Sequence, residues 1–298
     1  MDKDRLTEIQ LYATVLENQP LCLYTGFKTG GNAELMVFPG DADDMLSVVR
    51  ILLSLDEKFY ILGNGSNVLA LDEGYRGVVV VTSKANHIAV DDEVITCEAG
   101  ALLRDISLLA EDKSLTGMEF ACGIPGSIGG AVVMNAGAYD CDISDVIDSV
   151  YVLDKNGKSC RYSKEECGFS YRTSRFQSDE YALIFKVKLR LRRGERALIK
   201  KTTAEMIRKR NEKQPLDYPS CGSFFKRPKG AFASKLIEDC GMKGFRVGGA
   251  MVSEKHAGFF INFENATSDD ILSLMGAVQN EVYNKTGVAL TPEIHVMK

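Results

Sequence analysis

Met45, Val48, Val49, Leu52 and Leu53 recur at i, i+3, i+4, i+7 and i+8 and lay one apolar stripe on a helix. Asp41 stands in front of the stripe as its N-cap, with Asp44 three residues on. The same period returns at Ile271, Leu272, Met275, Val278 and Val282. There Thr267 caps the helix, Asp270 completes a box-like pair and Gly287 ends it. A period of two marks Phe185, Val187, Leu189 and Leu191, which alternate with Lys186, Lys188, Arg190 and Arg192 and predict a half-buried strand. Shorter apolar runs predict strands at 34–38, 59–62, 78–81 and 93–97. Residues 150–153 and 160–162 flank Asn156-Gly157, a hairpin signal. Further helices are predicted over 2–17, 102–111, 198–212 (stopping before Pro215) and 231–240, the last ended by Gly241. Residues 193–196 read as a linker. Strands and helices thus both run along the chain.

Length and charge narrow this picture. The chain has 298 residues and a formal net charge of −5, which suits two domains or three small ones. Without a basic excess, nucleic acid is not an expected partner, although a local arginine or a row of amides can still bind a small phosphorylated ligand. The charged N-terminus holds no signal-peptide core, and no run of 18 apolar residues predicts a membrane span. None of the eight cysteines, at 22, 97, 122, 141, 160, 167, 221 and 240, forms a C-x-x-C pair, and there are only three histidines. No metal site is therefore expected, and reduced thiols in a cytoplasmic protein are the preferred reading over disulfides.

Four segments carry candidate chemistry. Gly63-Asn64-Gly65-Ser66-Asn67 follows a strand and reads as a phosphate cradle or as a tight turn. It is neither a dinucleotide fingerprint, since its sixth position is Val68, nor a P-loop. Residues 122–138 hold too many glycines to be helix or strand throughout, and suit either a backbone wrapped around a flat ligand or an irregular buried turn. Arg172, inside Tyr171-Arg172-Thr173-Ser174-Arg175-Phe176, is a candidate for a carboxylate or phosphate, or for a structural ion pair. Ser223 lies in a turn before two phenylalanines, Lys226 and Arg227, without the G-x-S-x-G setting of a hydrolase.

Together these strings resemble the UDP-N-acetylenolpyruvoylglucosamine reductase (MurB) family, flavoenzymes of bacterial peptidoglycan synthesis. The matching segments are Thr29-Gly30-Gly31-Asn32, residues 63–69, residues 117–130, residues 171–176, residues 221–228, residues 255–259 and Pro292-Glu293. They run in the family's order from about residue 25 to 295, and the short passage from Phe176 to Tyr181 resembles the family type that lacks an extra substrate-covering loop. The resemblance implies an α+β fold, with a two-lobed FAD-binding domain of the vanillyl-alcohol oxidase/p-cresol methylhydroxylase type over 25–193 (lobes 25–83 and 84–193). An N-terminal helix within 1–24 would precede it, and an α+β substrate-binding domain over 198–298 would follow.

The resemblance also implies the chemistry. NADPH would reduce a noncovalent FAD, and the enolpyruvyl ether of a UDP-sugar would then take the hydride to give UDP-N-acetylmuramate. FAD contacts would come from Thr29, Gly30, Gly63, Asn64, Gly65, Ser66, Asn67, Gly117, Ile124, Pro125, Gly126, Ser127, Gly129 and Gly130. Tyr171, Arg172, Lys226 and Arg227 would meet the substrate. Arg172 would hold the enolate, Ser223 would protonate it, and Glu293 would orient or assist. A monomer without nucleic-acid or membrane partners is expected. Two positions depart from the pattern: Arg227 stands where some relatives carry Asn, and His295 where Arg is common. The residues also leave room for a nucleotide-binding regulator, or for a sugar or alcohol oxidase on the same scaffold.

Overall fold

The computed structural model describes residues 3–298. Compactness divides the chain into two units. One comprises the residues up to Glu17, Leu35–Asn64 and Gly77–Lys209; the other comprises Asn18–Glu34, Gly65–Arg76 and Arg210–Lys298. Against an expected division at about residue 198, this boundary falls at 209–210, inside the helix Arg196–Lys213. The presumed linker at 193–196 is paired structure: Arg192–Arg193 joins Leu115–Thr116, and the Gly194 N–H bonds to the Ser114 carbonyl.

In the first unit the helix Ala42–Ser54 forms where its period and cap predict. The Asp41 side chain accepts from the Asp43 and Asp44 N–H groups, satisfying two donors that the first turn leaves open. The helix is apolar on two sides. Val48 and Leu52 pack with Ile9, Val37, Val78 and Val80, while Met45, Leu46 and Val49 join a second, larger cluster. The first cluster lies against a four-stranded sheet ordered Ala13–Pro20, Asn32–Pro39, Tyr75–Val81, Phe59–Leu62, whose last two strands are parallel. The larger cluster covers an antiparallel five-stranded sheet ordered Ser159–Ser163, Ile147–Asp154, Tyr181–Arg190, Val94–Glu98, Ile88–Asp91. Phe185, Val187 and Leu189 fill the core from Tyr181–Arg190, as their alternation requires.

The expected N-terminal helix over 2–17 is corrected. Its first residue, Asp2, lies outside the described residues, and the helix Lys3–Gln10 stops in a tight turn in which Tyr12 N–H bonds to the Ile9 carbonyl. Ala13–Pro20 then pairs as the edge strand of the four-stranded sheet. The available ladder outweighs the helical bias of a polar segment with only partial periodicity.

The second unit is built around aromatic rings. Phe224 stacks on Phe260 with centroids 4.1 Å apart, and Phe27 and Phe225 pack against this pair. The three-stranded sheet Arg246–Val247, Ala250–Val252, Phe260–Asn262 is covered by the helix Ser268–Thr286, whose Ile271, Leu274, Val278 and Val282 are fully buried. Its capping box with Thr267 and Asp270 and its stop at Gly287 (φ 73°) form as expected. A short pair was not evident from pattern: Val68–Ala70 runs parallel to His295–Met297.

Candidate active site

The first glycine loop leaves the strand Phe59–Leu62. Gly65 has φ +63°, and a Cβ there would run into the Tyr24 carbonyl oxygen, so only glycine suits the position. Among the described residues, none accepts a hydrogen bond from the backbone N–H groups of residues 63–67. A row of unspent amides is what a phosphate requires. The Asn64 side-chain amide donates to the Pro125 carbonyl at 2.7 Å and so ties the first glycine segment to the second.

In the second segment Ser127 caps the helix Ile128–Met134 by accepting from the Gly130 N–H. Gly129 gives its N–H to the Ala99 carbonyl at 2.9 Å, and a Cβ there would lie only 2.9 Å from the Ala99 methyl. Likewise a Cβ on Gly63 would come within 2.5 Å of the Ser127 hydroxyl. These contacts leave a cavity of about 180 Å³ lined by Gly63, Ser127, Gly129, Gly130, Thr82, Val133 and Ile184, among others. The Thr82 hydroxyl is buried without a partner. The unspent amides, the apolar wall and the orphaned hydroxyl fit part of a dinucleotide such as FAD: the cavity has room for one ring system rather than the whole molecule.

Other expected FAD contacts lie elsewhere. The Gly126 carbonyl accepts from the Leu103 N–H. Ile124 N–H bonds to the Ala121 carbonyl. Gly117 (φ +124°) packs against Val146 and Leu191, and its N–H goes to Glu119 at 2.8 Å, so the first unit's own packing accounts for this glycine. Thr29 and Gly30 belong to the second unit. The Thr29 hydroxyl is buried and unpartnered, and a Cβ on Gly30 would meet the Ala70 methyl at 2.6 Å.

Arg172 sits in the first unit with φ +52°. Its guanidinium donates to the Asn135 carbonyl at 3.1 Å, to Asp142 at 2.9 Å and to the Gly137 carbonyl at 2.8 Å, and lies 5.0 Å from the centre of the Tyr171 ring. A side chain this closely held presents its charge at a defined place.

Ser223, Lys226, Arg227 and Glu293 lie in the second unit. Ser223 is exposed and Phe224 fully buried, so the chain is anchored one residue beyond the hydroxyl. Ser223 bridges Phe259, Phe225 bridges Pro292, and Phe224 N–H bonds to the Gly258 carbonyl. Glu293 N–H bonds to the Phe224 carbonyl at 2.9 Å, while the Glu293 carbonyl accepts from the Asn67 side chain at 3.1 Å. The serine segment, the Pro292-Glu293 segment and Asn67 of the first loop are thus stitched together by main-chain acceptors. Arg227 lies over the Phe232 ring at 4.3 Å. Desolvation, and then the Lys226 charge, push the His295 pKa down, so this departure from the pattern favours the neutral ring.

Sequence reasoning missed Asp142, Asn135 and Thr82. The hairpin that carries Asp142 turns through Tyr139-Asp140, which lacks the glycine of the usual two-residue turn, and Thr82 ends an ordinary apolar run. All eight cysteines are unpaired, and burial pushes the Cys97, Cys167 and Cys221 thiols up to about 12. Among the described residues no group of three His, Cys, Asp or Glu is placed to hold a metal ion.

Comparison with known proteins places this geometry. A model described as the UDP-N-acetylenolpyruvoylglucosamine reductase C-terminal domain matches residues 214–297, and one described as an FAD binding domain matches 33–163. The UDP-N-acetylenolpyruvoylglucosamine reductase of Caldanaerobacter subterraneus subsp. tengcongensis is 46% identical over 294 residues, covering 99% of this chain and 97% of that protein. A protein of the same name from Clostridium botulinum is 46% identical over 281 residues, 94% and 92% of the two chains. The crystal structure of the Thermus caldophilus reductase superposes with a TM-score of 0.81 at 32% identity, covering 96% of this chain and 99% of that one. The glucose dehydrogenase Phl p 4.0202 matches 65% of this chain and 45% of its own at TM-score 0.51 and 13% identity, a likeness of fold alone. The α+β fold therefore joins an FAD-binding domain, similar in fold to that dehydrogenase, to the reductases' C-terminal domain. With identity at this level sustained along nearly the whole chain, the protein belongs to the UDP-N-acetylenolpyruvoylglucosamine reductase family.

Proposed function

We propose that this chain reduces UDP-N-acetylenolpyruvoylglucosamine to UDP-N-acetylmuramate with FAD as cofactor and NADPH as donor, in peptidoglycan precursor synthesis. The reading rests on family membership over 99% of the chain. Its chemistry is carried by one observation: Ser223 and Glu293 are fixed on a single framework through Phe224. The first glycine loop and the cavity would hold FAD, within residues 25–193, and residues 198–298 would serve the sugar nucleotide. Bound FAD supplies the hydride chemistry, accepting from NADPH and delivering to the terminal vinyl carbon of the enolpyruvyl ether.

The protein's own groups handle the charge and the proton. Hydride addition turns the vinyl carbon into a methyl group and leaves an enolate on the neighbouring carbon and carboxylate. Arg172, held by Asp142 and two carbonyls, offers a fixed cation to that charge. The Ser223 hydroxyl gives its proton to the neighbouring carbon and regains one from solvent. A serine is a weak acid, but a carbanion-like carbon is a stronger base, so the transfer runs downhill. Glu293 orients the intermediate or shares the proton, and Lys226 lowers the cost of a transient alkoxide.

FAD would be held without a covalent bond, a reading supported by the lack of His or Cys in residues 63–67. Acid precipitation should therefore release free flavin. Eight unpaired thiols support a cytoplasmic protein. A monomer is expected in size-exclusion chromatography. Anaerobic stopped-flow mixing tests the main reading: NADPH should bleach the flavin, and the enolpyruvyl substrate should restore its colour. Flavin that is bleached but never reoxidised by this substrate removes the proposed activity.

A further inference from the structure

We infer that Asp142 is a positioning residue for Arg172, acting through a strained hairpin that exists to place its carboxylate; this rests on the reading of Arg172 as the cation that receives the substrate's charge. Asp142 bonds to the guanidinium at 2.9 Å, and the Arg172 side chain is only 16% exposed. A carboxylate bonded to a guanidinium fixes direction as well as charge.

The local backbone is arranged around this contact. Gly137 and Ala138 pair antiparallel with Asp142 and Cys141, leaving Tyr139 and Asp140 as a two-residue turn. Both turn residues have positive φ, 55° and 60°, a conformation that two-residue hairpins favour and aspartate tolerates, but that tyrosine rarely adopts. Four of the ten non-glycine residues with positive φ among those described are Asn135, Tyr139, Asp140 and Arg172 itself. Asn135 and Asp140 tolerate this conformation, and the strain at Tyr139 and Arg172 marks a place that the surrounding structure holds. Here the Tyr139 hydroxyl is tied to the Met206 carbonyl at 2.7 Å, which anchors the turn. Asp142 is also fixed from its own backbone, since its N–H bonds to Asp145 at 2.9 Å.

Gly137 completes the arrangement. A Cβ on this residue would occupy the place of the Asp142 carboxylate, while the Gly137 carbonyl is itself an acceptor for Arg172. Glycine therefore opens the space through which Asp142 reaches the guanidinium. Asn135, with φ 42° at the end of the helix Ile128–Met134, supplies the third acceptor. Its side chain bonds to the Ser170 carbonyl and the Ser144 N–H, and so braces both sides of the cluster.

Positioning and simple charge make opposite demands on substrate affinity. Removing the Asp142 charge leaves Arg172 more attractive to an anion but less well aimed. A misplacement on the order of 1 Å costs about a hundredfold in rate. In Asp142→Asn the limiting rate of flavin reoxidation by substrate should thus fall about ten- to a hundredfold. The substrate dissociation constant should stay unchanged or tighten, and NADPH reduction and flavin content should hold. Gly137→Ala, which inserts a methyl group where the carboxylate stands, should reproduce that split. Asp142→Asn added to Arg172→Ala should slow reoxidation no further. Reoxidation in Asp142→Asn within about twofold of the parent, or a double variant clearly slower than Arg172→Ala, overturns the inference while Arg172 keeps its role. Normal reoxidation in Arg172→Ala removes the reading of Arg172 and the inference with it.

Discussion

Arg172 and Ser223 are held in opposite ways. Around Arg172 the acceptors come from Asn135, Gly137 and Asp142, all within 37 positions of it in the chain, and one of them is a charged side chain. Around Ser223 the ties all end on main-chain acceptors, one of them reached by the Asn67 side chain, and they gather residues 67, 224, 258, 259 and 293 from across the sequence. A cation that must meet developing charge needs a local shell that fixes its direction. A hydroxyl that must meet one carbon needs the backbone beneath it to stay still. The first region is therefore sensitive to single side chains, and the second to the core on which its strands cross.

The largest expected effect tests the second region directly. Ser223→Ala should slow substrate-driven reoxidation by about a thousandfold, in the range of a lost general acid, while NADPH still bleaches the flavin. If both half-reactions persist, Ser223 is not the proton donor. Phe224→Ala removes a fully buried ring stacked on Phe260 and should cost about 3–5 kcal/mol in urea unfolding. A loss below about 1 kcal/mol would mean that the serine does not depend on this core. Arg172→Ala should reduce reoxidation about a hundredfold with far less effect on stability, and a large fall in melting temperature would recast it as a structural ion pair.

Asn67→Ala cuts a single tie in the second region. The Asn67 side chain bonds to the Glu293 carbonyl, and the Asn67 carbonyl accepts from the His295 N–H. Loss of a neutral hydrogen bond of about 1 kcal/mol should slow reoxidation roughly fivefold, with flavin affinity changed less. The reverse pattern would return Asn67 to the cofactor.

The smallest effect concerns pH. Burial lowers the His256 pKa below its ordinary value, and its Nδ1 must stay neutral to accept from the Gly258 N–H at 3.1 Å. A group with a depressed folded pKa contributes stability that is present above the unfolded value of about 6.5 and lost as pH falls through the folded one. Melting temperature should therefore drop as pH falls below about 6.5, and His256→Gln should flatten part of that slope. An unchanged slope in the variant assigns it to other groups.

Much of this was legible in the sequence, for reasons that differ by element. The helices Ala42–Ser54 and Ser268–Thr286 carry a full apolar stripe and their own caps, so local information suffices. The segments around Arg172, Ser223 and Glu293 stand out because glycine, arginine and aromatic residues crowd into short non-periodic strings. Asp142 was invisible: an aspartate has no local signature until the Tyr139-Asp140 turn brings it back to Gly137. Val68–Ala70 was missed because three residues show no period and their ladder partner lies far along the chain. The polar stretch after Gln10 reads as helix until the neighbouring strand Asn32–Pro39 offers it a ladder.

That distant pairing sets a timetable for biosynthesis. Asn67 and Glu293 are 226 positions apart, and ribosomes add about 5–20 residues per second. The first glycine loop therefore emerges about 10 to 45 seconds before the residues that brace it exist. Throughout that interval Leu69, fully buried in the finished protein, has no strand to pair with and presents a sticky edge to other nascent chains. Slowed elongation late in the message, or a shortage of holding chaperones, should show up first as aggregation of this unfinished edge.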